Sequence, residues 1–217
     1  MRHKIYSLFL IILLFTACTE ESSRTKKSLT MISQKKISSE INSSKSDKKK
    51  VNIPKNSIPK EYTFIFEDLQ KKSSTIKMKN DFYSFSNIEQ PIVMVTIFST
   101  WCPPCRGQIP HLSSLQKKFK KSLFILGALV HDDIQEKALK KFIISEKALF
   151  FISTNQPDNL KFVNMLTPKL RLTKEFPMPL MILFFHGKYF THYEGSMPEE
   201  MIESDIEQLL IKIRKGQ

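Results

Sequence analysis

The segment PIVMVTIF, at residues 91–98, constrains the fold of this chain more than any other stretch. It is a continuous apolar run rich in β-branched residues, which is typical of a β-strand buried on both faces. Such a strand needs a packing layer on each side, and helical periodicity follows it from Cys102 to about Lys120. A buried strand that leads into a helix predicts an α/β domain whose central sheet lies between helical layers.

The remaining hydrophobic pattern predicts strands and helices that alternate along the chain. Strands are expected at 61–69, 74–79, 122–130 and 148–153, helices at 134–145 and 158–166, a hairpin around Gly187 at 180–193, and a closing helix at 197–213. Alternation implies parallel crossovers, while the terminal hairpin adds antiparallel pairing. The sequence therefore predicts a mixed sheet with helices on both faces.

Residues 19–60 differ in composition from the rest of the chain. They contain no aromatic residue, and their eleven Lys or Arg against four Asp or Glu carry +7 of the net charge of +13. So polar a segment buries too little surface to offset its ordering entropy, and we expect a disordered tether. Because the basic charge lies mostly there, no nucleic-acid partner is required; a contact with anionic lipid headgroups is the alternative.

The amino terminus has the pattern of an export signal. MRHKIYSLFLIILLFTAC combines a basic start with an apolar run that is shorter than a membrane-spanning helix needs. Its ending, LLFTAC, resembles the bacterial lipoprotein cleavage box, in which the cysteine, here Cys18, becomes lipidated. An ordinary secretory signal and an uncleaved anchor are the alternatives. We expect a signal peptide at 1–17, a lipidated tether at 18–60, and one extracytoplasmic domain at 61–217.

The motif CPPC places Cys102 and Cys105 three positions apart at the start of the predicted helix. Unpaired amides and the helix dipole favour an anion there, so the pKa of the Cys102 thiol is expected to be lowered. Cys105, one turn on, faces the same side and suits a more buried resolving thiol. The alternatives are a pair of core thiols, or a copper site that recruits His111, His131 or Met178.

The prolines of the motif indicate a reducing couple. Pro103 and Pro104 each remove an N–H that would otherwise stabilise the Cys102 thiolate. No histidine or other cation lies between the cysteines to stabilise the reduced form. We therefore expect a comparatively reducing dithiol rather than a strong oxidant.

The stretch FSTWCPPC, with Pro110 five residues after the second cysteine, resembles the active site of the thioredoxin superfamily. FPMPLMILFFHGKYFTHYEGS resembles the later segment in which that family places a cis-proline, here Pro179, before a β-hairpin and a glycine, here Gly195. The extra strand and helix in between, the N-terminal hairpin and the export signal make residues 61–214 similar to the membrane-anchored TlpA/ResA-type oxidoreductases. The resemblance implies a three-layer thioredoxin-like fold with an N-terminal β-hairpin and a strand–helix insertion.

The resemblance also implies a function and a set of site residues. Cys102 is the expected nucleophile and Cys105 the resolving thiol, and the substrate groove is formed by Trp101, Pro103, Pro104, Met178 and Pro179. Two positions depart from the family: Thr96 and Gln108 stand where relatives carry buried acids, so the proton acceptor for Cys105 is left open.

The expected activity is thiol–disulfide exchange with protein substrates, with no cofactor or metal besides the redox-active Cys102–Cys105 disulfide. A reductase would also need a membrane electron-transfer partner. The alternatives are an oxidase of the same fold, and a copper-carrying or chaperone-like module without turnover.

Overall fold

The computed structural model describes residues 61–173 and 175–216. The expected signal peptide at 1–17 and the tether at 18–60 lie outside the described residues. The strands are β1 (Glu61–Glu67), β2 (Ser73–Lys79), β3 (Phe82–Phe85), β4 (Ile92–Phe98), β5 (Leu123–Leu129), β6 (Phe151–Ser153), β7 (Leu180–Phe185) and β8 (Lys188–Glu194). The helices are α1 (Pro103–Lys118), α2 (Glu136–Ser145), α3 (Gln156–Leu166) and α4 (Glu199–Arg214).

The strands form one mixed sheet in the order β1-β2-β3-β8-β7-β4-β5-β6. Strands β4, β5 and β6 are parallel, and the other pairs are antiparallel. This confirms the predicted α/β class and the mixed sheet. Within the described part of the chain, no helix has the length and apolarity needed to cross a membrane.

Alternation along β4 divides the core into two layers. Ile92 and Met94 pack on one face of the sheet, whereas Val93 and Val95 pack on the other. Helices α1, α2 and α4 cover the first face and α3 covers the second. Every residue of β4 is buried, as expected for a strand between two helical layers.

The predicted N-terminal hairpin is extended by a third strand, β3, which the sequence pattern did not indicate. Asn80 and Asp81 form the tight turn between β2 and β3, and both have positive φ. Short polar side chains tolerate this left-handed conformation, so the two-residue turn reverses the chain without a glycine. The added strand connects the hairpin to β8 through one pair, Phe82 with Lys188.

The insertion between β5 and β7 consists of α2, β6 and α3. The strand expected at 148–153 is shorter than predicted, because only Phe151–Ser153 lie opposite β5. Ala148 instead donates its backbone N–H to the carbonyl of Ile143 and closes the end of α2. Tertiary pairing, rather than local apolar character, sets the start of β6.

Gly127 in β5 allows the aromatic rings of the core to pack closely. A Cβ atom at this position would lie 2.9 Å from Phe98 Cε1 and 3.1 Å from Phe150 Cε2. We expect Gly127→Ala to lower the free energy of unfolding by about 1–3 kcal/mol, since a buried ring must move. Urea denaturation measures this change.

Gly107→Ala is the matched control. Gly107 is exposed in α1, and a Cβ there meets nothing within 4 Å. This variant is expected to gain about 0.5–1 kcal/mol from helix propensity. Equal effects of the two substitutions would contradict the role assigned to Gly127.

Candidate active site

The two cysteines lie where a buried strand ends and a helix begins. Strand β4 ends at Phe98, and a short turn leads to Cys102, the N-cap residue of α1, with φ −84° and ψ 111°. The first amides of a helix have no intrahelical partner, and the helix dipole is positive at this end. The turn therefore places the Cys102 sulfur where an anion is stabilised.

Cys102 and Cys105 form a disulfide, with their Cα atoms 5.2 Å apart. Pro103 and Pro104 are the first residues of α1 and carry no N–H. The amide of Cys105 is the donor that reaches the Cys102 sulfur, at an N–Sγ distance of 3.3 Å. The local sequence thus leaves the N-cap sulfur fewer donors than a helix start without prolines would.

Cys105, the predicted resolving cysteine, is the more buried of the two, as the spacing predicts. Cys102 is 5% exposed and Cys105 is 1% exposed. Both pack in a cluster with Phe98, Ile109 and other apolar residues between α1, α2 and the sheet. Cys105 lies on the inward side of the helix, so a partner approaches the pair from the side of Cys102.

Exposed side chains surround the mouth of the site. Trp101 is 60% exposed, and its Nε1 donates to the carbonyl of His131 over 2.9 Å. Pro103 and Pro104 are also exposed. These three residues, predicted to belong to the substrate groove, form an apolar rim beside Cys102.

The segment before β7 forms the opposite side of the site. The Met178–Pro179 peptide bond is cis, the isomer that the resemblance implies. The carbonyl oxygen of Met178 lies 3.9 Å from the Cys102 sulfur. The carbonyl of Pro179 accepts the N–H of Gly195 over 2.9 Å, and Gly195 has a φ of +78°. The structure therefore brings the five predicted groove residues and both cysteines to one edge of the sheet.

Asp132, a buried carboxylate behind the active-site turn, is a residue that the sequence pattern did not indicate. Its Oδ2 accepts the N–H of Thr100 at 2.5 Å, and its Oδ1 accepts that of Ile134 at 3.2 Å. Gln156 holds the backbone of Asp132, accepting its N–H and donating to its carbonyl. The place of Asp132 in the sequence could have indicated a role at the site. The segment HDD directly follows a predicted buried strand, and such segments lie at the carboxyl edge of the sheet.

Two buried polar side chains lie between α1 and the sheet. Among the described residues, Thr96 Oγ1 and Gln108 Nε2 are the buried side-chain atoms that lack a hydrogen-bond partner. Gln108 Oε1 accepts the N–H of Met197 over 2.8 Å. Both residues are neutral, so neither supplies a carboxylate at these positions.

Arg106, the residue after Cys105, is held by contacts with the end of α2. Its Nε and Nη2 donate to Glu146 Oε1 over 3.0 and 2.6 Å, and its guanidinium lies 5.8 Å from the centre of the Phe142 ring. These contacts connect the first turn of α1 to the end of α2. Their geometry depends on tertiary packing, since the residues lie far apart in sequence.

His111, one of the candidate copper ligands, has another side-chain partner. His111 Nδ1 lies 3.0 Å from Glu199 Oε2. Hydrogen bonds from Ser114 and His111 hold the pKa of Glu199 below its usual value, although burial opposes them. In residues 61–173 and 175–216, no group of three or more His, Cys, Asp or Glu is arranged to hold a metal ion.

Comparison with known proteins finds similarity to thioredoxin-like proteins. A thioredoxin-like family model matches residues 90–186. The thiol-disulfide oxidoreductase ResA of Halalkalibacterium halodurans is 24% identical over 148 residues, which are 66% of this chain and 72% of that protein. The crystal structure of a thiol:disulfide interchange protein, thioredoxin family protein, from Chlorobium tepidum TLS has a TM-score of 0.53 and 16% identity, and the match covers 71% of this chain and 99% of that chain. The last comparison shows the fold.

The fold and the cysteine pair at the start of α1 define a thiol-disulfide oxidoreductase of the thioredoxin fold. Residues 90–186 match the thioredoxin-like family model, and the chain is similar to a ResA thiol-disulfide oxidoreductase.

Asp132→Asn tests how the active-site turn is held. The amide keeps the size of the side chain but replaces one accepting oxygen with an NH₂ group. We expect the free energy of unfolding to fall by about 1–3 kcal/mol, because a buried N–H loses its partner. The fluorescence of Trp101, the single tryptophan, should also change, since the turn carries it. Urea denaturation followed by this fluorescence measures both effects.

Asp133→Asn is the control, because Asp133 is the exposed neighbour of Asp132. Its stability should stay within about 0.5 kcal/mol of the wild-type value. If the two variants have the same stability and emission, Asp132 does not position the turn.

Proposed function

We propose that this protein is an extracytoplasmic thiol-disulfide oxidoreductase that exchanges disulfides with protein substrates through Cys102 and Cys105 and acts as a reductase. The observation that carries the proposal is the position of the Cys102 sulfur at the N-cap of α1, with the Cys105 amide 3.3 Å away. A sulfur held there is stabilised as a thiolate, which is the nucleophilic form of cysteine.

The reaction begins with the reduced protein. The Cys102 thiolate attacks one sulfur of a substrate disulfide, forming a mixed disulfide and releasing the other substrate sulfur as a thiolate. Cys105 then loses its proton and attacks the Cys102 sulfur, which breaks the mixed disulfide and releases the second substrate sulfur. Two electrons pass to the substrate, and the protein ends with the Cys102–Cys105 disulfide.

The proton of Cys105 passes to a departing substrate thiolate, directly or through water. Thr96 and Gln108 are neutral and do not accept it as carboxylates would. The leaving thiolate is a base generated by the reaction itself, close to the buried thiol. This route needs no further proton acceptor from the chain.

The substrate groove consists of Trp101, Pro103, Pro104, Met178 and Pro179. The exposed rim supplies apolar contacts, and the cis bond presents the Met178 backbone next to Cys102. An extended substrate segment that bonds to this backbone holds its sulfur in line with Cys102.

The prolines support the reductase direction. With Pro103 and Pro104 at the helix start, the Cys102 thiolate receives fewer N–H donors, and no cation lies between the cysteines. A less stabilised dithiol form gives up its electrons more readily. A reductase of this kind needs a membrane electron-transfer partner that restores the dithiol.

The amino-terminal pattern supports export and a lipid anchor on Cys18. Such an anchor would hold the exchange reaction close to a bacterial membrane.

Substitution of the cysteines tests the reaction. Cys102→Ser should lower the rate of insulin reduction, with a dithiol donor, by at least about 10³-fold, because a hydroxyl is not ionised at neutral pH. Cys105→Ser should accumulate a mixed disulfide with substrate, because the resolving thiol is missing. Mass spectrometry of the trapped species measures the second effect.

The matched control for both variants is Cys18→Ser, which leaves the CPPC pair intact and should retain the exchange rate in solution. Full activity of Cys102→Ser would exclude the proposed nucleophile. The redox state of the pair in cells tests the direction, and a pair held oxidised there would identify an oxidase instead.

Cys18→Ser also tests the anchor. In cells, the variant should lose lipid labelling and move from the membrane fraction to the soluble extracytoplasmic fraction, because one covalent attachment site is removed. Labelling with a fatty-acid analogue and cell fractionation measure this. Unchanged labelling and fractionation would contradict lipidation at Cys18.

A further inference from the structure

Strand β8 has a backbone edge that other strands leave largely free. On one side β8 pairs with β7 from Lys188 to Glu194. On the other side β3 contributes a single pair, Phe82 with Lys188, because the chain turns away at Asn80–Asp81. In the described part of the chain, no other backbone group bonds residues 189–194 from that side. Such an edge accepts a strand from another polypeptide.

A cleft opens where β3 and β8 separate. It has a volume of about 430 Å³, which falls within the range of ligand-binding clefts. Its walls are formed by aromatic and aliphatic side chains, one acidic residue and two basic residues: Tyr83, Tyr189, Leu166, Leu170, Asp81, Lys169 and Arg171. The cleft is large enough for side chains projecting from a strand that lies along β8.

Two polar groups in the cleft are available to an acidic partner. Tyr83 is 3% exposed, and its hydroxyl has no hydrogen-bond partner among the described residues. Burial, followed by the charge of Asp81, raises the pKa of Tyr83 to about 12, so the hydroxyl remains a donor at neutral pH. Arg171 is exposed and forms no ion pair within residues 61–173 and 175–216, whereas Lys169 is neutralised by Asp81 at 2.5 Å.

The edge of β8 leads from the cleft to the cysteine pair. Beyond Glu194, the N–H of Gly195 donates to the carbonyl of Pro179, and Ser196 Oγ donates to the carbonyl of Pro104 over 2.9 Å. The end of β8 is therefore joined to both the cis-proline and the first turn of α1. A segment bound along this edge is continuous with the site at which its cysteine reacts.

We propose that the free edge of β8 and the adjoining cleft bind an extended segment of a client protein by β-strand addition, with an acidic side chain of the client at Arg171 and Tyr83. This inference rests on the proposed exchange with protein substrates. A bulge opposite Leu183/Phe184 and the charges of Lys188 and Glu194 restrict pairing to a short segment. Hydrogen bonds between the two backbones supply affinity, and the cleft supplies a preference for a client segment with an acidic side chain.

The length of β8 sets the spacing in a client sequence between the acidic residue and the reacting cysteine. From Tyr189 to Glu194 the strand covers about 17 Å at about 3.4 Å per residue. Including the step from Glu194 to the cysteine pair, an acidic residue about six to nine positions from the reacting cysteine reaches Arg171.

Binding of a cysteine-free peptide tests the surface independently of the redox reaction. The probe is a fluorescent peptide of about twelve alternating Val and Thr residues with one Glu, compared with the same peptide carrying Gln. The full-length protein should bind the Glu peptide at least about fivefold more tightly, and Arg171→Glu should remove this preference. Lys121→Glu, an equal charge reversal at an exposed site distant in sequence, should preserve it.

Tyr83→Phe provides a second variant that keeps the buried ring. It should weaken binding of the Glu peptide about threefold or more without lowering the urea midpoint, since no described residue depends on the hydroxyl. Equal binding by wild type, Arg171→Glu and Tyr83→Phe would overturn the proposal. Concentration-dependent self-association blocked by the same peptide would assign the edge to a second copy of the chain and would likewise overturn it.

A cysteine-containing series tests the spacing. Peptides with a Glu about three, seven or eleven positions from the cysteine should react with Cys102 fastest at the middle spacing, and Arg171→Glu should make the three rates equal. Rates that do not depend on spacing in the wild-type protein would contradict the inferred path. Binding of the cysteine-free peptide with no exchange at any spacing would instead reject the proposed function and leave the docking surface supported.

Discussion

The junction between a fully buried strand and the first turn of a helix is the constraint on which the rest of this structure depends. Strand β4 is held on both faces by apolar layers, so its carboxyl end has a fixed position. The helix that follows directs its unpaired amides at the residue in its N-cap, Cys102. Two prolines then limit the donors to the amide of Cys105. The chemistry of the site follows from how many backbone N–H groups stabilise this one sulfur.

The surrounding segments hold that junction with polar contacts rather than with additional apolar surface. Asp132, after β5, accepts the N–H of Thr100 in the turn, and Met178, before the cis-proline, places its carbonyl beside the sulfur. Ser196, after β8, bonds the first turn of α1. Each contact comes from a loop at the same edge of the sheet, where parallel strands and the terminal hairpin end together. The site is thus a product of several loops fixed by a single sheet.

Sequence patterns predicted the elements with strong hydrophobic periodicity accurately. They predicted the elements defined by strand pairing less accurately. The buried strand β4 and the amphipathic α1 were predicted close to their bounds, because burial on two faces and a helical stripe leave distinct patterns. The short strand β3 was missed, since its turn at Asn80–Asp81 lacks the glycine that usually marks a hairpin. Strand β6 was predicted too long, because an apolar run does not reveal which of its residues meet a neighbour.

Local sequence patterns were enough to place a cysteine pair at the start of a helix after a buried strand, because these are relations between neighbouring residues. The sequence also predicted a later proline as the partner of that site through resemblance. The folded chain was needed to show that Asp132 holds the turn, that Arg106 pairs with Glu146, and that β8 keeps a free edge beside a cleft. These features depend on residues distant in sequence being brought to one place, and hydrophobic periodicity carries no information about which distant polar groups meet.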